Sequence, residues 1–169
     1  MSTPSSIETH AAEWESLVGK AILRFGDIEL VSIKCLMLIA TESVGRSAAK
    51  INFARRSELL IEILEANNEL NEYLQELLSA FKQAKELIET RNLIAHNPVM
   101  LDIYVNEDET EYQVERSITS ARSGEKSLDL QGLKEFVGQV ENLSSVLWIN
   151  FSKAANQTDE MWHKRDLAK

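Results

Sequence analysis

Residues 70–98, LNEYLQELLSAFKQAKELIETRNLIAHNP, decide the fold class of this chain because they carry its most regular hydrophobic pattern. Apolar side chains recur there at alternating steps of four and three, at Leu70, Leu74, Leu77, Phe81, Ala84 and Ile88, and the series continues to positions 91 and 95. This spacing places them on one face of an amphipathic helix. Asn97-Pro98 ends the pattern, since the residue before a proline is disfavoured in the helical region. We therefore predict one helix over about residues 69–96.

The rest of the chain is also mainly helical in pattern. The spacing of apolar residues predicts helices over roughly 5–41, 55–66 and 129–153, whereas the tail 154–169 has no clear period. Gly45 marks the break between the first two helices. Gly19 and Gly26 lie one heptad apart on one face of the first helix, where they either admit a close neighbour or are simply tolerated. We predict an all-α fold, a single domain over 1–169 built as a bundle of about four helices.

Between the third and fourth predicted helices the period changes to two. Apolar and polar side chains alternate through Val99, Leu101, Ile103 and Val105, and again through Tyr112, Val114 and Ile118 after the polar residues 106–109. Such alternation is typical of a β-hairpin with one buried face. We expect this hairpin over about residues 99–118, inserted before the last helix and followed by a loop at 120–127.

The composition limits the classes of function. The 169 residues include 18 Lys or Arg and 27 Asp or Glu, for a formal net charge of −9, so a broad basic surface for nucleic acid is excluded. Cys35 is the only cysteine, which excludes an intrachain disulfide and a cysteine-based zinc site. Its apolar neighbours favour a buried thiol over a nucleophile. Residues 1–6 have no targeting signal, so we expect a cytoplasmic protein that does not enter a membrane.

One residue of the third predicted helix departs from its apolar stripe. Position 91 continues the face that carries Ile88, but it holds Arg91, and a charge on an apolar seam is costly unless it is paired or faces a polar cavity. Asn92 and His96 share a face of the helix. His96 lies about 140° around the helix axis from Arg91. In one interpretation Arg91 pairs with a carboxylate such as Glu62 and His96 is an ordinary helix-end residue. In the other, Arg91 and His96 serve one polar site, within one chain or across a two-fold interface.

The string Arg91-Asn92-Leu93-Ile94-Ala95-His96-Asn97 resembles the signature of the HEPN superfamily, in which Arg and a polar residue precede a His by a few positions. The resemblance covers about residues 5–153 and implies a HEPN-like helical bundle. It also implies a metal-independent endoribonuclease that needs no cofactor and acts as a homodimer on RNA. HEPN proteins of this kind serve as toxins or in defence and stress responses, which implies a cognate antitoxin or regulator as a further partner.

The resemblance also assigns roles to residues. His96 exchanges protons with the RNA, Arg91 stabilises charge at the phosphate, and Asn92 orients His96 or a phosphate oxygen. Some HEPN toxins carry a modified Tyr two residues after the His; this chain has Pro98 there, so regulation by that route is not expected.

Two further expectations accompany this resemblance. Arg55 and Arg56 are candidates for a local basic rim that binds RNA, with a solvated helix end as the alternative. Some HEPN domains lack nuclease activity, so the alternative function is a non-catalytic module that binds a nucleotide or a protein partner.

Overall fold

In a computed structural model, the described residues are 6–67, 70–105, 112–121, 124 and 126–167. They form a mostly helical fold with a small antiparallel sheet before the last helix, which confirms the predicted helical fold with a hairpin. In chain order the elements are α1 (Ser6–Ile39), α2 (Glu42–Ala48), α3 (Phe53–Ala66), α4 (Glu72–Glu86), α5 (Ile88–His96), β1 (Val99–Val105), β2 (Tyr112–Thr119), β3 (Ser127–Leu128) and α6 (Leu130–Leu167). The described residues thus contain six helices rather than about four. The turn predicted at 106–109 lies outside them.

The first predicted helix is followed by a short helix that the sequence pattern did not indicate. α1 ends at Ile39, and Thr41 caps α2 because its side-chain oxygen accepts a hydrogen bond from Val44 N at 3.3 Å. The break therefore lies at Thr41, and Gly45 is inside α2. A Cβ on Gly45 would lie 2.2 Å from Met37 Cγ and 3.0 Å from Met37 N, so the glycine lets α2 approach α1 closely.

The helix predicted over 69–96 is divided at Leu87. α4 follows Asn71, whose side chain accepts a hydrogen bond from Leu74 N at 2.9 Å. The Leu87 amide donates to Ala84 O at 3.2 Å, which is a tighter turn than the α-helical one, and α5 begins at the next residue. No glycine or proline marks Leu87, so the periodic pattern of apolar residues continues past it and predicts one helix instead of two. Arg91 consequently lies in a different helix from the apolar stripe of α4.

The predicted hairpin has a third strand. β1 and β2 pair antiparallel with Val99 opposite Ile118 and Ile103 opposite Val114. β3 begins at the last residue of the stretch expected to be a loop and pairs with β2. Ile118 is 1% exposed, but Val99, Leu101 and Ile103 are 40%, 48% and 60% exposed. The expected buried face is therefore wrong for β1. Alternation indicates which side chains share a face of a sheet, and it does not show that another layer covers that face.

The last helix is longer than the predicted 129–153. Asp129 caps it by accepting a hydrogen bond from Gly132 N at 2.7 Å, and the helix continues to Leu167. Residues 154–167, expected to be a tail without a clear period, are helical. Among the described residues, no helix combines the length and the apolar character needed to cross a bilayer.

The chain forms two compact units. This division does not test whether residues 1–169 fold as a single domain, so that statement stays a prediction. The first unit holds residues 1–24 and 89–139, and its buried apolar side chains are Trp14, Ala21, Ile94, Ile118, Leu133, Phe136 and Val137. The second unit holds residues 25–88 and 140–169, and α3 packs on α4 within it. Its largest fully buried side chains are Phe25, Phe81, Ile28, Leu36, Leu60, Leu64, Leu77, Leu147, Val31 and Val140.

Candidate functional site

A cleft in the first unit is lined by α5 and by residues on both sides of the loop that connects β2 to β3. Its volume is about 580 Å³. The residues that line it are Glu89, Asn92, Leu93 and His96 of α5, together with Asn97, Ser120, Ala121 and Lys126. The structure therefore brings two of the sequence-predicted site residues, Asn92 and His96, to one cleft.

Helical spacing explains why α5 contributes several side chains to this cleft. Glu89, Asn92 and His96 are three and four residues apart, so the helix turns them towards one side. All three are exposed, whereas Ile94 is 4% exposed and belongs to the core of the first unit. His96 is the last residue of α5, and its imidazole is accessible to a molecule that enters the cleft.

Asn97 fixes the end of α5 to the loop that follows β2. Its Nδ2 donates a hydrogen bond to Leu93 O at 2.9 Å, and its Oδ1 accepts one from Ala121 N at 2.9 Å. Asn97-Pro98 marks a helix end in the sequence, but no local pattern indicates the bond to Ala121. Because Asn97 holds α5 and the loop after β2 together, it is a positioning residue for the cleft.

Glu89 and Lys126 form an ion pair at the cleft. Lys126 Nζ lies 2.5 Å from a carboxylate oxygen of Glu89, and both side chains are mostly exposed. The hydrogen bond from Lys126, and then its positive charge, lower the pKa of Glu89. The two residues are 37 positions apart, so the sequence carries no local signal for the pair. The pair adds a carboxylate and an ammonium group to the site.

Arg91 is connected to the cleft through Asn92 and is not among the residues that line it. Its Nη1 donates a hydrogen bond to Asn92 Oδ1 at 3.1 Å. Asn92 thus contacts Arg91 directly and shares the cleft wall with His96. Asn92 is therefore the predicted site residue through which Arg91 is linked to the cleft.

Arg55 and Arg56, expected to form a basic rim, belong to the second unit and have contrasting surroundings. Arg56 is 4% exposed; its Nε donates to Ser32 Oγ at 2.7 Å and its Nη1 to Ile51 O at 2.9 Å. The expectation that Arg56 faces RNA is therefore wrong, because its guanidinium is bound in the interior. Arg55 is exposed and lies 3.3 Å from the carboxylate of Glu58.

The polar groups of the cleft suit proton transfer and hydrogen bonding. They are the imidazole of His96, the amides of Asn92 and Asn97, the hydroxyl of Ser120 and the pair of Glu89 with Lys126. An imidazole is the usual general acid or base near neutral pH, and amides and ammonium groups donate to phosphate oxygens. Within the described ranges, no group of three or more His, Cys, Asp or Glu side chains is placed to hold a metal ion.

No family model, no curated protein sequence and no solved structure matches this chain. A function for it therefore rests on the chemistry of the α5 cleft and on the resemblance of residues 91–97 to the HEPN signature.

Proposed function

We propose that this chain is a metal-independent endoribonuclease of HEPN type, acting as a cytoplasmic homodimer in a toxin, defence or stress role. The observation that carries the proposal is the position of Asn92 and His96 on the wall of one cleft, with Arg91 hydrogen-bonded to Asn92. These are the three residues in which the chain resembles the HEPN signature. The proposed reaction uses no cofactor.

The nucleophile in this reaction is the 2′-hydroxyl of the RNA itself. His96 accepts the proton of that hydroxyl while its oxygen bonds to phosphorus, and the bond from phosphorus to the 5′-oxygen breaks as the 5′-oxygen receives a proton. The products are a 2′,3′-cyclic phosphate and a 5′-hydroxyl end. Because the resemblance to HEPN proteins implies a homodimer, we assign the second proton transfer to His96 of the partner subunit.

Arg91 and Asn92 act on the phosphate in this proposal. The planar guanidinium of Arg91 neutralises the charge that develops on the phosphorane oxygens. Asn92 Oδ1, which accepts a hydrogen bond from Arg91, is an uncharged acceptor, and a phosphate oxygen is a stronger one. In the proposed complex Arg91 donates to the phosphate, while Asn92 orients His96 or a phosphate oxygen.

The electrostatics of the chain restrict how RNA binds. The net charge of −9 repels the RNA backbone, and Glu89 adds a carboxylate to the cleft. Lys126 offsets that carboxylate through the ion pair, so the pair as a whole is close to neutral. We expect weak binding confined to the cleft, sensitive to salt and modulated by a cognate antitoxin or another regulator.

A cleavage assay with the purified full chain tests this function. Labelled RNA of mixed sequence is incubated in EDTA with the wild type and with His96→Ala, Arg91→Ala and Asn92→Ala. We expect products that end in 2′,3′-cyclic phosphate, and rates that fall by about 100-fold or more for the His96 and Arg91 variants. Asn142→Ala and Arg46→Ala, at exposed positions of α6 and α2, are the matched controls. Cleavage that survives both His96→Ala and Arg91→Ala contradicts the assignment of these residues.

The alternative function is a non-catalytic module that binds a nucleotide or a protein partner through the same cleft. The ion pair of Glu89 with Lys126 favours it, because the one ammonium group on the described wall of the cleft is already bound to a carboxylate. Fluorescence anisotropy with labelled RNA and labelled nucleotides distinguishes the two functions. Saturable binding without cleavage, lost in His96→Ala, identifies the binding module.

A further inference from the structure

The outer edge of β1 is open, and the side chains of this strand are mainly apolar. β1 lies at one end of the three-stranded sheet, and no backbone hydrogen bond from another described element reaches its outer edge. On that edge the N–H and C=O groups of every second residue point away from β2. The exposed apolar side chains of the strand lie on both faces of the sheet and are Val99, Met100, Leu101, Ile103 and Tyr104.

β1 lacks the features that protect most edge strands. Proteins block such edges with very short strands, with lysines, with bulges or with a proline inside the strand. β1 has seven residues, its register with β2 is unbroken from Val99 to Val105, and Pro98 precedes it. Its single charged residue is Asp102. An open edge of this kind is the surface to which an extended segment of another chain adds as a further strand.

An open apolar cleft adjoins β1 within the first unit. Its volume is about 380 Å³, and Trp14 and Val18 of α1 line it together with Val99 and Leu101 of β1. Trp14 is 3% exposed, so the inner wall belongs to the core, whereas Leu101 at the rim faces solvent. A strand added beside β1 places every second side chain on the face that carries Val99 and Leu101. Apolar side chains at alternate positions therefore fit this edge.

Asp102 determines the charge of the segment that fits. Its side chain is exposed and forms no ion pair within the described part of the chain. The residue directly opposite on β2 is Glu115, so β2 supplies no positive charge at this position of the register. A Lys or Arg at the adjacent position of an added strand lies within the distance at which cross-strand pairs interact.

The same residue disfavours a second copy of this chain as the occupant. Asp102 is the middle residue of β1, so a full-length antiparallel pair of two β1 strands places it opposite Asp102 of the second copy. Like charges directly opposite one another destabilise such a pair. A basic segment of a different protein avoids this repulsion and is attracted by the net charge of −9.

We propose that the outer edge of β1 binds an extended segment of a partner protein as a fourth strand of the sheet. The segment has apolar side chains at alternate positions and a Lys or Arg beside Asp102. Backbone hydrogen bonds hold it, the cleft beside Val99 and Leu101 receives apolar side chains, and Asp102 selects its charge. No residue of β1 lines the α5 cleft, so this site goes beyond the proposed nuclease and does not depend on it.

Binding of synthetic peptides to the full chain tests the proposal. The peptide TVTVKVTVT alternates valine with threonine and carries lysine at its centre, and TVTVEVTVT carries glutamate there instead. By isothermal titration calorimetry we expect saturable binding of the lysine peptide with a Kd on the order of 100 µM, and about tenfold weaker binding of the glutamate peptide.

Methylation of the peptide backbone distinguishes strand addition from general apolar contact. A strand has two edges, and only one of them pairs with β1. N-methylation of alternate amides should abolish binding of the lysine peptide when it blocks the pairing edge. Methylation of the intervening amides should change the affinity by about threefold or less, since those amides face solvent.

Two substitutions in β1 test the roles of its side chains. Asp102→Lys should weaken binding of the lysine peptide about tenfold and strengthen binding of the glutamate peptide. Leu101→Gln should weaken both peptides, because it removes apolar surface at the cleft. Both side chains are exposed, so the melting temperature should not fall. Glu76→Lys, at an exposed position of α4, changes the net charge equally and should leave both affinities unchanged.

Several outcomes overturn the proposal. They are no binding of the lysine peptide up to about 1 mM, equal affinities for the two peptides, equal loss on methylation of either edge, or no effect of Asp102→Lys. Sedimentation velocity tests the other occupant: a wild-type dimer that Leu101→Gln disrupts assigns the edge to a second copy and also overturns the proposal. RNA cleavage is measured without peptide, so failure of this site and failure of the proposed nuclease are distinguishable.

Discussion

At the scale of single residues, the buried guanidinium of Arg56 joins three helices of the second unit. Its Nε donates to Ser32 Oγ of α1, and its Nη1 donates to Ala48 O of α2 and to Ile51 O. Its Nη2 lies 3.9 Å from the carboxylate of Glu29. Burial lowers the pKa of Arg56 and the charge of Glu29 opposes this, so hydrogen bonds and an ion pair together keep a charge in the interior.

Arg56→Met should destabilise the chain, because it retains much of the side-chain volume but leaves Ser32 and two carbonyl oxygens without their donor. We expect the free energy of unfolding to fall by about 3 kcal/mol, measured by urea denaturation. Arg55→Met is the control, since the Arg55 side chain is 78% exposed and its loss should cost about 0.5 kcal/mol or less. Equal effects of the two substitutions would contradict a structural role for Arg56.

Cys35 should make stability fall at alkaline pH. Its side chain is 2% exposed, and burial raises the pKa of its thiol well above the ordinary value. The unfolded thiol ionises at about pH 8.5, so above that pH the unfolded state binds fewer protons than the folded state. Relative to Cys35→Ala, we expect the free energy of unfolding to fall by about 1.4 kcal/mol per pH unit above about pH 9, with parallel curves below about pH 8. Urea denaturation at several pH values measures this difference, and parallel curves throughout would refute it.

At the scale of elements, the contact of α2 with α1 depends on the absence of a side chain at Gly45. A Cβ there would meet Met37 N at 3.0 Å and Ile33 O at 3.2 Å, and these backbone atoms cannot move independently of α1. Gly45→Ala should therefore lower the free energy of unfolding by about 1–3 kcal/mol, although alanine is the better helix former. Thermal and urea denaturation measure the change. Gly138→Ala is the control and should stabilise by up to about 1 kcal/mol, since its added Cβ meets no described atom. If the free energy of unfolding rises in both variants, α2 is able to move away from α1, which contradicts the prediction.

The spacing of residues within single elements explains which parts of the candidate site could be predicted from the sequence. Asn92 and His96 share a helical face, and that relation holds in α5 as it would in a longer helix. Glu89 has the same spacing but no feature that distinguishes it from other surface carboxylates. Ser120 and Lys126 reach the cleft only because β2 and β3 return the chain towards α5, so no local pattern indicates them.

At the scale of the whole molecule, the net charge affects the binding of RNA, and the exposed apolar surface affects the binding of proteins. The charge of −9 disfavours extended contact with RNA, which limits the proposed nuclease to a confined site. Exposed apolar side chains such as Leu23 and Leu30 of α1 suit a protein partner instead. Ile103 of β1 is also 60% exposed, so apolar exposure is not limited to α1.

The sequence by itself determined the helical class, the hairpin before the last helix and the common face of Asn92 and His96. These features follow from periods of a few residues and from local caps such as Asp129. Only the tertiary structure decided the break at Leu87, the burial of Arg56, the exposure of β1 and the pair of Glu89 with Lys126. Each of these depends on which distant segments meet. Because local periodicity orients side chains around a helix or strand without specifying what lies opposite them, such contacts require the folded chain.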